Sequence, residues 1–440
     1  MNKRILKILK RSRSIVISSS GFSFRTFYAL YYGFLFITND KKLLDELTSS
    51  TVVNFIIEDK KSEKRYITGK GRVEILGSPL NYKIERGILL FKVPEYTLLL
   101  NDYNSIIVRI VPEKDLQFYD LTEGYRVITD SVDIDSLKED INPIKKYFYA
   151  LRPWSLQMSV ADIVLGALIS PYFNILKLIL SAIAVVLLQA GANLLNSFFD
   201  FRSGIDKPIN VPPSGSRALV DNLIPLRYYM LYVFLVMSAG IFLGAYLILL
   251  YPKVLIIGAL GIVAALTYSI PKYGLKWLAL GDLAVFLIWG PGIVLGSYIL
   301  QGGSLTSPGP VFLSIGLGLI VTAVLHSNNW RDIKSDASQG VKTIAYFLGQ
   351  KGSMIYYLAL IWFSFIFIGI SVIYDARLLP LLGSFLTIPW AIKLTKIALD
   401  EKNWKRMILD ALTAQFQSLH MYFSLIFLIG YIIALHLIFH

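Results

Sequence analysis

Two short stretches join side-chain amides to carboxylates at helical spacing, each beside basic residues: NLLNSFFDFRSGID from Asn193 to Asp206, and VLHSNNWRDIKSDASQGVKT from Val324 to Thr343. In the first, Asn193, Asn196 and Asp200 recur at i, i+3 and i+7, one stripe of an α-helix, and Asp206 follows. In the second, Asn328, Asn329, Asp332 and Asp336 fall three or four residues apart, again on one stripe. Oxygen donors without cysteine or histidine suit Mg²⁺ rather than zinc or copper, and Mg²⁺ is usually held by a few carboxylates plus substrate phosphates. Arg202 and Arg217 near the first stretch, and Arg331, Lys334 and Lys342 near the second, suit phosphate oxygens. The chemistry this combination serves is the binding of a diphosphate bridged by Mg²⁺, and an apolar chamber above it makes a lipid diphosphate the natural occupant.

Both stretches close long apolar runs, and those runs must position them. The chain has 440 residues, 55% hydrophobic and 17% charged, so a membrane part and a soluble part are expected together. It has no cysteine, which excludes disulfides and thiol-based sites. The net charge of +13 is read as Lys and Arg held beside anionic lipid, not as a nucleic-acid surface. From Leu151 onward nine apolar segments follow, about 156–173, 174–199, 226–251, 254–270, 280–301, 309–326, 355–374, 378–397 and 420–439. Loops after the even-numbered segments carry fourteen Lys and Arg and the alternating loops three, which places the first set and the amino-terminal part in the cytoplasm and the carboxyl terminus outside. Both motifs then lie at the cytoplasmic ends of segments 2 and 6.

The amino-terminal part has another texture. Residues 1–13 hold six basic residues and no acid, with Ile5, Leu6, Ile8 and Leu9 along them, which reads either as an amphipathic membrane anchor or as a solvated basic tail. Residues 14–125 contain short β-rich runs beginning at Ser14, Phe24, Phe34, Thr51, Arg65, Gly87 and Ser105, with one helix from Lys41 to Leu47, and read as a small antiparallel barrel. Residues 126–150 read as a charged linker, and 151–440 as an all-α polytopic bundle of nine transmembrane helices.

At this point the residues match a known family. Five features resemble the UbiA superfamily of intramembrane prenyltransferases, most closely its 1,4-dihydroxy-2-naphthoate polyprenyltransferase branch: Arg152-PWSL; Asn193 to Asp206; Gly215-SRALV; Tyr268-SIPKYGLKWLALGDLAVFLIWGP; and Asn328-NWRDIKSDASQGVKTIAYFLG. The resemblance implies Asn196, Asp200, Asp206, Asp332 and Asp336 as Mg²⁺ ligands, the four acids being the catalytic set. It implies Asn193, Asn196, Asn329, Arg217, Lys272, Arg331 and Lys342 as substrate contacts, the basic ones at the diphosphate. Tyr268 and Tyr273 would offer ring faces to an allylic carbocation or belong to an interfacial aromatic belt. The first motif departs from the family pattern at Ser197, where an acid is usual. The implied reaction moves a polyprenyl group from its diphosphate to an aromatic acceptor, with loss of carbon dioxide in the naphthoate branch and a demethylmenaquinone-type product. Prenylation of a benzoquinone precursor, haem, chlorophyll or glycerol lipid stays open, as do a transporter and a silent scaffold. Asp282 reads as a helix cap or a site residue, Asp162 as an acid needing a partner, and His326 as packing or chemistry. The amino-terminal barrel resembles the pyridoxamine-phosphate-oxidase-type split barrel, which implies FMN with Thr38, Lys41 and Lys42 near its phosphate.

Overall fold

The computed structural model describes residues 1–440 except 1, 20–21, 97–98, 103, 123–125, 139–141, 208–210, 212–215, 401–405 and 440. Gly215, quoted above, lies outside the described residues, as do Lys402 and Lys405, two of the fourteen Lys and Arg in the loops after the even-numbered segments. The chain forms two compact units: Met1–Ala150 with Asp206–Leu226, and Leu151–Ile205 with Arg227–His440.

The first unit is a β half-barrel. Strands β1 (Ser14–Ser19), β2 (Phe22–Phe27), β3 (Ala29–Leu30), β4 (Phe34–Thr38), β5 (Val52–Asp59), β6 (Ser62–Gly77) and β7 (Ile106–Asp120) pair antiparallel in the order β2-β1-β5-β6-β7-β4-β3, and β8 (Arg126–Ser131) pairs with the far end of β7. The expected barrel is thus open, with β2 and β3 at its edges. In β5 the strict alternation of exposed and buried residues puts Val53, Phe55 and Ile57 into the core, as a period of two dictates. The long β6 bends at irregularities around Gly69–Gly71, where a Cβ on Gly71 would stand 2.4 Å from the Ile110 side chain.

Helix α1 (Lys3–Arg11) corrects both readings of the amino terminus. Ile5, Ile8 and Leu9 are buried in the same core as Phe34, Phe36 and Phe55, so its apolar face is taken by its own unit and faces neither lipid nor water. Helix α2 (Lys41–Ser49) appears where expected. The run from Gly87, expected as a strand, is instead in helix α3 (Lys83–Lys92), with Arg86, Gly87, Ile88 and Leu89 buried. The stretch expected as a linker holds β8 and helix α4 (Pro143–Ala150).

The segment Asp206–Leu226 completes this unit. Arg217 donates from Nε and Nη2 to Asp221 at 2.9 and 3.2 Å and from Nη1 to the Val211 carbonyl, while Arg86 Nε lies 3.7 Å from the same carboxylate. All three side chains are almost fully buried. Burial lowers the Arg86 pKa to about 10 against the pull of Asp221.

The second unit is helical: α5 (Pro153–Leu168), α6 (Ile175–Arg202), α7 (Leu226–Leu250), α8 (Leu255–Thr267), α9 (Gly281–Leu287) continuing through a π-helical turn (Ile288–Leu295) into α10 (Gly296–Leu300), α11 (Pro308–Arg331), α12 (Ile333–Ser338), α13 (Ile344–Tyr374), a 3₁₀ stretch (Ala376–Thr387) leading into α14 (Ile388–Leu399), and α15 (Arg406–Phe439). Among the described residues seven helices, not nine, are long and apolar enough to cross a membrane. The other two expected spans are shorter helices. The 16 residues of α5 reach only about 24 Å against a hydrocarbon thickness of about 30 Å, and Pro252–Thr267 is as short.

Candidate functional site

The first motif lies on the last two turns of α6, and the predicted stripe is bonded along itself: Asn196 Nδ2 donates to Asp200 at 2.9 Å, the i, i+4 distance. Asn193, a turn deeper, donates to the Leu151 carbonyl and to Ser155 Oγ at the start of α5. Asp200 is buried, and Lys276 Nζ lies 2.9 and 3.1 Å from its two carboxylate oxygens. A tight turn after α8 brings Lys276 there. Gly274 donates to the Ile270 carbonyl at 2.7 Å and Lys276 to the Tyr268 carbonyl at 3.0 Å, and a Cβ on Gly274 would lie 2.6 Å from two backbone atoms. Only glycine fits that turn.

Ser197, the departure from the family pattern, is also buried. Arg152 Nη2 donates to its hydroxyl at 2.9 Å, from a residue held at φ 57° just before α5. A serine here gives the guanidinium a neutral partner and leaves its charge for the site.

The second motif straddles a break. Helix α11 ends at Arg331, Asp332 takes a non-helical conformation, and α12 resumes from Ile333. Arg331 clasps Asp332 through two nitrogens at 2.8 and 2.6 Å. Asn329 donates to Asp282 at 2.8 Å, whereas Asn328 turns back to the Val324 carbonyl. Asp336 is half-buried, and its pKa is pushed up to about 7, first by loss of solvent; Asp332 and Asp200 raise it further, while Lys276 and Arg331 pull it down. The two motifs therefore share one electrostatic field although they lie 136 residues apart, from Asp200 to Asp336.

These side chains suit Mg²⁺ in kind: Asn196, Asp200, Asp332 and Asp336 offer only hard oxygens, and mutual repulsion of the acids is what a divalent cation relieves. Among the described residues no three acids or histidines converge as a ready-made cage, and Lys276 and Arg331 hold two of the carboxylates.

The other expected contacts differ in burial and in compact unit. Tyr268 packs on Met158, Val285 and Val321 in the bundle interior, but Tyr273 is 80% exposed, and Lys272 and Lys342 are exposed as well. Asp206 and Arg217 belong to the other compact unit, where Arg217 is bonded to Asp221. At α2, Thr38 Oγ1 accepts from the Asp40 amide and Asp40 accepts from the amides of Lys42 and Leu43. The start of α2 is thus capped by the protein's own carboxylate, which bonds the amides of Lys42 and Leu43. Sequence reasoning missed Lys276, Arg152 and the pairing of Asp282 with His326. Lys276 was in view, four residues after Lys272, and the glycine between them was the signal for a reversal of the chain.

The pattern described as the UbiA prenyltransferase family matches residues 160–436. The chain is similar to UbiA prenyltransferase domain-containing protein 1 of Dictyostelium discoideum, 32% identical over 272 residues that cover 58% of this chain and 79% of that protein. It is similar also to the protein of that name from Homo sapiens, 31% identical over 296 residues, 66% of this chain and 83% of the relative. Among solved structures, a UbiA homolog from Archaeoglobus fulgidus bound to GPP and Mg²⁺ superposes with a TM-score of 0.50 at 15% identity, covering 64% of this chain and 99% of that one, a likeness of fold.

Proposed function

The chain belongs to the UbiA prenyltransferase family, and from that premise we propose that this integral membrane enzyme transfers a polyprenyl group from an allylic diphosphate to a quinone-precursor aromatic ring, 1,4-dihydroxy-2-naphthoate or a close analogue. The observation that carries this reading is the shared field of Asp200, Asp332 and Asp336 with Lys276 and Arg331 beside it. The diphosphate docks where Lys276 and Arg331 now hold carboxylates, and both cations exchange those partners for phosphate oxygens. Asn196, Asp200, Asp332 and Asp336 would hold Mg²⁺, which would supply charge neutralisation for the departing diphosphate. Arg152 adds positive charge close by, because its partner Ser197 has none to offset it. The allylic C–O bond then breaks above the charged floor, and Tyr268, packed in the apolar interior, offers its ring to the carbocation. The charged loops and the amino-terminal unit face the cytoplasm on this reading.

Membranes containing the protein, incubated with radiolabelled polyprenyl diphosphate, Mg²⁺ and a panel of acceptors, test this. Wild type is expected to label the naphthoate, and Asp332→Ala to lose label at least about 100-fold. No transfer to any aromatic acceptor, or equal transfer by the variant, overturns the reading.

A further inference from the structure

We propose that Asp282 and His326 form a proton-accepting dyad that binds the acceptor ring's hydroxyl and removes its proton, an inference that rests on the prenyl-transfer reading above. His326 Nδ1 lies 2.8 Å from Asp282 Oδ2, and Asn329 Nδ2 donates to Oδ1 of the same carboxylate at 2.8 Å. Both members of the dyad are at most 1% exposed. A carboxylate only accepts, so the neutral imidazole carries its hydrogen on Nδ1 and presents a lone pair at Nε2. Nε2 is buried and has no hydrogen-bond partner. A buried acceptor without a donor is costly, and a ligand hydroxyl removes that cost. The arrangement is that of a histidine base oriented by an acid.

Position fits the task. His326 lies on α11 one turn before Asn329, whose side chain shares its partner Asp282, and about 9 Å deeper along the helix axis than Asp332. A diphosphate at the charged end places its allylic carbon between the two, and a ring alongside brings a hydroxyl to Nε2. In the balanced step the hydroxyl proton passes to Nε2 and Asp282 stabilises the imidazolium. The diphosphate leaves with the C–O electron pair, and the ring carbon bonds to the allylic cation. The ring regains aromaticity by losing its carboxyl as carbon dioxide, or its proton to the departed diphosphate, and the imidazolium returns its own proton to the ring oxygen. The acceptor class is therefore an aromatic ring bearing a free hydroxyl conjugated with the prenylated carbon.

The test uses the full-length protein in membranes with geranyl diphosphate, MgCl₂ and either 1,4-dihydroxy-2-naphthoate or its methyl ethers. Wild type is expected to lose about 100-fold or more in kcat when the hydroxyls are methylated, a comparison that needs no variant. His326→Gln and Asp282→Asn are expected to lose about as much on the free hydroxyl acceptor, with KM for geranyl diphosphate changed less than about threefold. Equal use of the methyl ether by wild type, full activity of His326→Gln, or an equal loss in affinity for geranyl diphosphate overturns the dyad alone. Failure of wild type to prenylate any hydroxylated ring overturns the underlying reading with it.

Discussion

At the scale of single residues, the site is built from acids already bound to cations. Lys276 holds Asp200 and Arg331 holds Asp332, and in the proposed reaction each cation grips the diphosphate from that place. Lys276→Met is expected to raise KM for the prenyl diphosphate about tenfold or more, the worth of one charge-assisted hydrogen bond, in steady-state kinetics with saturating acceptor. Asp336 makes a pH prediction. Its folded pKa is about 7, raised from the model-compound value of 3.8 by burial first. Between those values the folded chain holds more protons than the unfolded one, so stability declines as pH rises through that window. With EDTA present, the melting temperature should fall by a few degrees from pH 5 to 7.5, and Asp336→Asn should remove that part of the fall.

Helices and turns decide where these residues point. The π-helical turn Ile288–Leu295 contains Pro291, which has no N–H to give, and Gly290, whose added Cβ would stand 2.5 Å from the Ser314 carbonyl and 3.0 Å from Gly318 on α11. The two helices cross at this pair of glycines, and the crossing sets how α9, with Asp282, meets α11, with His326. Gly290→Ala is expected to cost about 1–3 kcal/mol by overpacking, read as a lower melting temperature in detergent, with transfer activity falling too. Gly274 does the same for Lys276: the turn it permits, not the helix before it, delivers the cation.

At the scale of the whole molecule, the two units are not two consecutive lengths of chain. Asp206–Leu226 returns to the amino-terminal unit and brings Asp221 to the buried guanidinium of Arg86. A fragment ending at residue 150 therefore leaves Arg86 without that carboxylate, and Asp221→Asn weakens it in the intact chain. Breaking such a buried pair costs about 3–5 kcal/mol, so the fragment should unfold at markedly lower denaturant than the same unit in the full protein, as monitored by the near-ultraviolet signal of its tyrosines. Arg217, which the resemblance put at the diphosphate, shares that carboxylate, so Arg217→Ala is expected to destabilise the same unit.

The sequence by itself determined the apolar helices, the strand alternation of β5 and the two acid-bearing helix ends, because each is a local pattern of hydrophobic period and residue type. It made Asn196 and Asp200 neighbours correctly, since a helix fixes i, i+4 contacts without help from the rest of the chain. It misread the run from Gly87, where a short apolar segment fits strand and helix equally, and the face of α1, where amphipathicity does not say which surface will cover it. Only the tertiary structure decided that Lys276 rather than Lys272 meets Asp200, that Tyr273 faces outward, and that Asp282 orients His326. The physical reason is the same in each case: these contacts join residues from different elements, and a turn held by one glycine or a helix crossing through two sets them, at distances no local periodicity encodes.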